Sequence, residues 1–356
     1  AAGSGCGRCP MDESWIVDFP TLADVQDPWV RAHCCVPDGF DQGEPFVMAD
    51  WQFWCTANHY LVRSSARWQP RKPMRAQAFT YRRSLIVGPQ KSGKGPWSAT
   101  VVATEAVGPA LFAGWAEPGD GYACSDWGCG CGFEYEYEPG DPMGMPNPTP
   151  LIQLTATSED QVDNVYRPLR SMIKMGPLAD LMLIREGFIR LPGEDNRIDI
   201  VTASASSRLG NPVSFVIHDE DGLYTKENKL LGVAQTQRRG AAGMDGRTMA
   251  TTNAWDPSSN SDAQRTWESR AKDVFKFFRQ PPKELSWGNR RDRRKILQHV
   301  YADCPWVTIA SIEAEVNDLM ETDPAQAERF FGNRLVTGVG AWLEEGLWES
   351  AYARTG

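Results

Sequence analysis

The sequence lacks several features that mark other classes of protein. No apolar run approaches the roughly 18 residues that a bilayer-spanning helix needs, so a transmembrane protein is excluded. Residues 1–5 show no basic segment leading into an apolar one, so we expect no secretory signal. The 356 residues, 41% hydrophobic and 23% charged, have the composition of a globular protein with one large domain or two ordinary ones.

An excess of basic residues is also lacking. The chain has 37 Lys and Arg against 46 Asp and Glu, a net charge of −9. Proteins that coat nucleic acid are usually basic, because release of counterions from phosphates drives their affinity. The balance argues against whole-surface binding but leaves a local basic face open. The candidates are Arg238-Arg239 and the run Arg290, Arg291, Arg293, Arg294, Lys295, for which a solvated helix face is the alternative.

Cysteine is too sparse for a disulfide scaffold, since nine thiols are spread over a long chain. We therefore expect a reducing, cytoplasmic setting. Two groups stand out: the pair Cys6 and Cys9, and the trio Cys124, Cys129 and Cys131 in a Gly-rich stretch. Zinc prefers four thiolate or imidazole ligands, and neither group supplies four or has a histidine at ligand spacing. Free or loop-packed thiols are the expectation, and a shared zinc site is the alternative.

Short apolar runs alternate with helical patterns along the chain. We predict strands over residues 84–87, 151–154, 198–201, 213–217 and 248–251. Strands that alternate with helices indicate an α/β fold with a mostly parallel sheet. The predicted organisation is an N-terminal arm (1–45), a core (46–257) with a Gly/Pro/Cys-rich insertion (114–150) outside its hydrophobic interior, and a mainly helical segment (258–356).

A phosphate-loop motif, G-x-x-x-x-G-K, lies between a predicted strand and a predicted helix. It reads Gly88-Pro89-Gln90-Lys91-Ser92-Gly93-Lys94. In this context backbone N–H groups surround a phosphate, and the lysine reaches the β- and γ-phosphates. The next residue, usually a Ser or Thr that binds Mg²⁺, is Gly95 here; Ser92, Ser98 or a water would have to compensate. The alternative is an ordinary Gly-rich turn.

An apolar strand that begins at Phe215 ends in two carboxylates, Asp219 and Glu220. Beside the phosphate loop, Asp219 would hold Mg²⁺ and Glu220 would polarise the attacking water. The alternative is a solvated acidic turn. The next strand ends in Thr251-Thr252-Asn253, which could sense the γ-phosphate and couple hydrolysis to a moving element; otherwise it is a polar strand end.

Together these pieces resemble the ATPase domain of tailed-phage large terminase subunits, the motors that package DNA into procapsids. The resemblance spans roughly residues 46–342. It also includes Ser204-Ala205-Ser206-Ser207-Arg208-Leu209-Gly210, and the likeness is greatest to terminases of actinobacterial phages, judged by Arg329-Phe330-Phe331-Gly332-Asn333-Arg334.

The resemblance implies a P-loop NTPase fold of the additional-strand catalytic-glutamate type, with a small helical lid or linker subdomain. It implies ATP and Mg²⁺ as cofactors, with the nucleotide bound by residues 88–95. Lys91 would be the basic residue that terminases carry in this loop. Gln52 would read the adenine edge, unless it is an ordinary helix residue. Arg208 would act as an arginine finger on a neighbouring subunit's nucleotide, unless it is an exposed loop arginine.

The function implied is ATP hydrolysis that drives double-stranded DNA into a procapsid. A ring of subunits would contact backbone phosphates without reading sequence. The partners would be a portal protein and a small terminase subunit, and the protein would work in the host cytoplasm, docked on the procapsid. The alternatives are another additional-strand or helicase-like ATPase, or an inactive docking module. We expect no nuclease activity, since the residues that follow Trp342 up to Gly356 leave no room for a nuclease fold of usual domain size.

Overall fold

The chain folds as strands and helices that alternate around one large sheet. The computed structural model describes residues 15–69, 78–157, 159–202 and 212–338. The helices are α1 (Ala23–His33), α2 (Asp50–His59), α3 (Lys94–Val107), α4 (Glu159–Met175), α5 (Leu230–Gly243), α6 (Asp262–Glu268), α7 (Arg290–Val300), α8 (Ile309–Thr322) and α9 (Pro324–Phe330). Within these ranges, no helix has both the length and the apolar character needed to cross a membrane.

Both large and small sheets are present. The strands are β1 (Arg83–Val87), β2 (Leu111–Trp115), β3 (Gly121–Ala123), β4 (Glu134–Glu136), β5 (Pro142–Met145), β6 (Leu151–Thr155), β7 (Leu183–Arg185), β8 (Phe188–Arg190), β9 (Arg197–Val201), β10 (Phe215–Asp219), β11 (Arg247–Thr252) and β12 (Val274–Phe278). Short 3-10 helices lie at Cys124–Trp127, Pro177–Asp180, Asp221–Leu223 and Pro257–Ser259. The five predicted strands correspond to β1, β6, β9, β10 and β11.

The main sheet has the order β12-β1-β11-β10-β6-β9-β8-β7. The strands from β12 to β9 run parallel, and β8 and β7 add an antiparallel hairpin at one edge. Strand β11 lies between β1, which leads into the phosphate loop, and β10, which ends in the acidic pair. A mostly parallel sheet flanked by helices confirms the predicted fold class.

The central strands are buried on both faces, and β10 and β11 are buried at every residue. Phe215 and Ile217 of β10 pack in the main hydrophobic cluster with Trp97 of α3. Val216, between them, faces the opposite side and packs with Ala241 of α5. Helices on both faces of a parallel sheet leave no strand face for solvent, so such strands are not amphipathic.

The described part of the predicted N-terminal arm is packed onto this core. Val25, Trp29 and Val30 of α1 are buried in the main hydrophobic cluster. The side-chain amide of Gln26 donates to the carbonyl of Pro109 at 3.0 Å, just beyond the end of α3. Helix α1 is therefore a layer of the fold, and the boundary at residue 45 stays a prediction.

The insertion over residues 114–150 also contributes to the core, so the prediction that it lies outside was wrong. It forms most of two antiparallel pairs, β2 with β5 and β3 with β4. Four of its side chains are buried in the main cluster: Tyr122, Cys124, Cys129 and Tyr137. Its Gly and Pro residues shape tight turns, and its aromatic and thiol side chains fill the interior.

The segment after residue 257 contains one strand that the helical prediction missed. Strand β12 pairs in parallel with β1 and extends the main sheet. Three helices, α7, α8 and α9, follow it and form the small helical subdomain of the predicted fold class. The boundary at residue 257 stays a prediction.

Candidate active site

The carboxyl ends of three neighbouring parallel strands meet at one edge of the sheet. In the strand register, Val87 pairs with Thr252, and Asp219 pairs with Thr251. The backbone N–H of Gly88 donates to the carbonyl of Thr252 at 3.1 Å. In open α/β sheets this edge is where ligands bind. The loop, the acidic pair and the Thr-Thr-Asn strand end are thus brought together as the sequence predicted.

The phosphate loop turns sharply into α3. Lys91 and Gly93 have left-handed backbone conformations, with φ of 66° and 87°. A Cβ on Gly93 would lie 2.6 Å from the Trp306 ring and 3.2 Å from the Gln52 amide nitrogen, so only glycine fits. Gly93 is the N-cap of α3, and the partial positive charge of a helix N-terminus suits an anion at this place.

The Lys94 ammonium is buried at the centre of the site. It donates to the carbonyls of Gly88 at 2.9 Å and Pro89 at 2.8 Å, and to the Asn253 side-chain oxygen at 3.0 Å. Burial lowers the pKa of Lys94, while the nearby Glu220 and Asp219 carboxylates oppose that shift. The lysine therefore joins the loop to the ends of the other two strands.

Asp219 is buried at the end of β10 and is held by two donors. The Thr251 hydroxyl donates to one carboxylate oxygen at 2.9 Å, and the Asn164 amide donates to the other at 3.2 Å. Burial raises the pKa of Asp219, and these hydrogen bonds act against that rise. The Glu220 backbone N–H adds a further hydrogen bond, so the carboxylate is fixed from several sides at the edge of the sheet.

Glu220 follows in a left-handed conformation, with φ of 54°. Its carboxylate accepts from the Asn253 amide, at 3.3 and 3.2 Å to the two oxygens. Burial raises the pKa of Glu220 to about 7, a shift that Lys94 opposes and Asp219 reinforces. The left-handed backbone at Glu220 turns the chain after Asp219. The two consecutive carboxylates have different hydrogen-bond partners.

The Thr-Thr-Asn strand end contacts every other part of the site. Thr251 holds Asp219, and Asn253 bonds to both Lys94 and Glu220. The Thr252 hydroxyl accepts from the backbone N–H of Gly222 at 3.0 Å, which ties the turn after the acidic pair to β11. These hydrogen bonds couple the positions of the loop lysine, the acidic pair and the turn that follows it.

Gly95, the departure from the phosphate-loop motif, has a steric cause. A Cβ at residue 95 would lie 2.3 Å from the backbone carbonyl oxygen of Asn164 in α4. Four residues after Asn164 comes Pro168, inside the same helix. Proline has no N–H to bond that carbonyl, and its ring pushes the carbonyl away. The exposed carbonyl therefore occupies the space that a Ser or Thr side chain would need.

Neither hydroxyl considered as a replacement is in a position like that of the usual one. Ser92 donates its hydroxyl to the Pro89 carbonyl within the loop, at 2.8 Å, and Ser98 is completely buried in α3. The same close approach of α4 instead places the Asn164 side chain on Asp219. Sequence reasoning missed Asn164, since 69 residues separate it from Gly95 and no motif marks it.

Gln52 lies beside the loop. Its side-chain nitrogen is 3.4 Å from the Gly93 carbonyl, and its side-chain oxygen accepts from the backbone N–H of Ala49 at 2.9 Å. The second contact caps the N-terminus of α2 and fixes the side chain. The proposed reading of adenine stays a prediction.

The helical subdomain closes over the loop. The Tyr301 hydroxyl donates to the carbonyl of Gln90 at 2.6 Å, and the N–H of Gln90 donates to the carbonyl of Phe330 at 2.7 Å. The Trp306 indole N–H donates to the carbonyl of Lys91 at 3.3 Å. An open cavity of about 200 Å³ remains between α9 and the turns that carry Glu220 and Asn253.

The remaining sequence candidates differ in their surroundings. Some sequence candidates lie outside the described residues: Arg208 with the stretch 204–210, and the pair Cys6 and Cys9. Arg238 is paired with Asp262 and largely buried, whereas Arg239 is exposed, so a basic face formed by the two together stays a prediction. On α7, Arg294 pairs with Glu313 at 3.4 Å. The exposed basic residues of that helix are Arg290, Arg291, Arg294 and Lys295.

Comparison with known proteins supports the fold and places relatives among phages. The solved structure of the HK97 bacteriophage large terminase matches with a TM-score of 0.60 and 14% identity, over 92% of this chain and 58% of that one. The Gene 13 proteins of Mycobacterium phages L5 and D29 are 26% and 25% identical over 200 and 195 residues. No family model matches the chain.

These matches confirm the resemblance to large terminases at the level of the fold. The two mycobacteriophage relatives agree with the expected likeness to actinobacterial phages. Their alignments cover 54% and 53% of this chain but only 30% and 29% of the relatives, so the chain spans a minor part of their length.

Restoring the usual hydroxyl at residue 95 should harm the fold. We expect Gly95→Ser to lower the free energy of unfolding by about 1–3 kcal/mol, because the new side chain overlaps the Asn164 carbonyl. The measurement is chemical denaturation. Gly232→Ser in α5 is the matched control, since a Cβ there meets no atom within 4 Å. Equal stability of the two variants would show that α4 yields space to the side chain.

Proposed function

We propose that the chain is the ATPase part of a phage DNA-packaging motor. It hydrolyses ATP with Mg²⁺ and uses the energy to move double-stranded DNA into a procapsid. The observation that carries the proposal is the convergence of Lys94, Asp219 and Glu220, linked through Asn253, at one end of a P-loop sheet. This arrangement provides groups for the phosphates, a cation and a water within one site.

The loop binds the triphosphate through its backbone and Lys94. Backbone N–H groups at the start of α3 face the phosphates, and the buried ammonium bonds the β- and γ-phosphate oxygens. Those oxygens take over hydrogen bonds that Lys94 makes to the carbonyls of Gly88 and Pro89. Gln52, beside Gly93, reads the adenine edge, and Lys91 adds positive charge.

Asp219 is the residue that would hold Mg²⁺. Carboxylate oxygens are the ligands that this cation prefers, and the Asp219 carboxylate lies close to the Lys94 ammonium at the end of the loop. When bound, the cation neutralises charge on the phosphates. Asn164 and Thr251 fix the carboxylate from the protein side. Gly95 supplies no hydroxyl ligand, so a water would take that position in the cation's shell beside Asp219.

Glu220 acts on the attacking water. An ionised carboxylate orients the water and accepts its proton, and Asn253 holds that carboxylate in place. The pKa of about 7 puts the change of charge near neutral pH. Asn253 senses the γ-phosphate because it contacts both Lys94 and Glu220, and Thr252 passes the change to the turn at Gly222.

Movement follows from the contacts of the helical subdomain. Tyr301, Trp306 and Phe330 bond to residues 90 and 91 of the loop, so a nucleotide that reshapes the loop shifts this subdomain. In the assembled ring, Arg208 reaches a neighbour's nucleotide, and DNA is held through its phosphates. The portal protein and the small terminase subunit complete the machine on the procapsid in the host cytoplasm. The HK97 fold match and the phage relatives support this assignment.

Removal of the Lys94 ammonium should abolish turnover. We expect Lys94→Ala to lower the ATP hydrolysis rate by about 100-fold or more, because the phosphates lose their buried cation. Phosphate release is the measurement. Lys272→Ala is the matched control, because Lys272 is exposed and precedes β12 at the opposite, amino-terminal edge of the parallel strands. A normal rate in Lys94→Ala would remove the loop from the mechanism.

Glu220→Gln should separate binding from hydrolysis. The neutral side chain keeps one acceptor oxygen for the Asn253 amide but cannot take a proton, so we expect ATP binding to persist and hydrolysis to fall about 10²–10⁴-fold. In the wild type, the rate should rise as pH increases through about 7, since the carboxyl group loses its proton there. The same pH step in Glu220→Gln would assign the titration to another group.

Arg208 should act between subunits. We expect Arg208→Ala, mixed with an excess of wild-type protein under packaging conditions, to inhibit more than its share of the mixture, because each variant subunit disables a neighbour's site. ATP hydrolysis across a titration of the two proteins is the measurement. A linear decline with the variant fraction would place the arginine in its own subunit's chemistry or outside it.

A further inference from the structure

Four metal-binding side chains converge at the contact between α1 and the insertion. The Nε2 atom of His33 lies 3.4 Å from the sulfur of Cys124, 3.6 Å from that of Cys129 and 3.2 Å from that of Cys131. All four ligand atoms lie within 4.8 Å of one another. His33 was missed from the sequence because it stands 91 residues before Cys124.

Hydrogen bonding alone does not account for this arrangement. A neutral imidazole has one lone pair, and its Nε2 can accept from only one thiol at a time. Three sulfurs surround that single atom at similar distances. In a tetrahedral zinc centre with the usual Zn–S and Zn–N lengths, neighbouring N and S ligands lie roughly 3.6 Å apart. The observed separations are close to the edges of such a tetrahedron.

The surroundings of His33 prepare it as a ligand. Its Nδ1 lies 2.7 Å from the carbonyl of Trp29, so an Nδ1–H donates there and Nε2 keeps its lone pair. This pairing of one ring nitrogen with a carbonyl is the usual support of a zinc-bound histidine. The Trp29 ring stacks on the imidazole, with centroids 4.2 Å apart, and Phe133 packs edge-on from the other side.

The thiols are held in the same manner. Cys124 and Cys129 are buried, and the backbone N–H of Phe133 donates to the sulfur of Cys131 at 3.4 Å. Gly128 and Gly132 have left-handed conformations, with φ of 81° and 78°. These two glycines flank Cys129 and Cys131 and turn the backbone before and after them. The Gly-rich stretch therefore curves around the Nε2 atom of His33, with its three sulfurs facing that atom.

We propose that His33, Cys124, Cys129 and Cys131 bind one Zn²⁺ ion. Four protein ligands leave no position for water or substrate, so the ion is structural. It joins α1 to the insertion, two segments that are far apart in sequence. Helix α1 packs at the end of α3, where Gln26 bonds to Pro109, so the zinc site fixes a layer behind the helix that begins at Lys94.

The test is metal analysis of the full chain under reducing conditions, without an affinity tag that binds metal. After reconstitution with Zn²⁺ and removal of excess, we expect one zinc per chain. Reconstitution with Co²⁺ should give the thiolate-to-cobalt charge-transfer and strong visible bands of a tetrahedral sulfur-rich site. Chains that hold far less than one zinc, or cobalt spectra of an octahedral oxygen site, would overturn the proposal.

A pair of cysteine variants separates a specific site from general thiol binding. We expect Cys131→Ser to lose the stoichiometric zinc and the cobalt charge-transfer band. The control is Cys35→Ser, which removes a buried thiol outside the cluster and should leave both unchanged. Equal zinc content in the two variants, or a disulfide within the trio in the freshly purified protein, would contradict a zinc site. None of these measurements depends on ATP hydrolysis.

Discussion

The burial of the Lys94 ammonium is the constraint on which the rest of the site depends. A cation removed from water must be surrounded by acceptors and opposite charge, or the fold loses several kcal/mol. Here the loop carbonyls and Asn253 accept from it, and Glu220 and Asp219 supply negative charge nearby. These partners come from three strand ends, so placing the charge correctly also aligns β1, β11 and β10.

The glycine at residue 95 and the proline in α4 are structurally linked. Pro168 leaves the Asn164 carbonyl without a helical partner, and Gly95 gives that carbonyl room. The close contact of α3 and α4 then carries the Asn164 amide to Asp219. The missing side chain at residue 95 is thus explained by the packing of another helix.

Local motifs let the sequence predict the middle of the sheet and the two halves of the site. Residues 85–87 and 215–217 are apolar runs next to chemically distinctive residues, so the segments that contain them were recognised as buried strands. Strand β12 was missed because Lys276 interrupts a short apolar run in a segment rich in helical patterns. The β7–β8 hairpin, three residues per strand, is too short to show a period.

What the sequence could not show is contact between distant segments. His33 and Asn164 take their positions from helix packing, which no spacing rule encodes. The insertion was expected outside the core because Gly and Pro dominate its composition. Its buried cysteines contact His33 of α1, and the packing of that helix could not be foreseen from the sequence.

The most direct test of the account is a structure of the chain with a non-hydrolysable ATP analogue and Mg²⁺. The account predicts the β- and γ-phosphates against the Lys94 ammonium, the cation beside Asp219, and a water between Glu220 and the γ-phosphate. A nucleotide bound at another surface, with Lys94 still bonded to Gly88, Pro89 and Asn253, would contradict it.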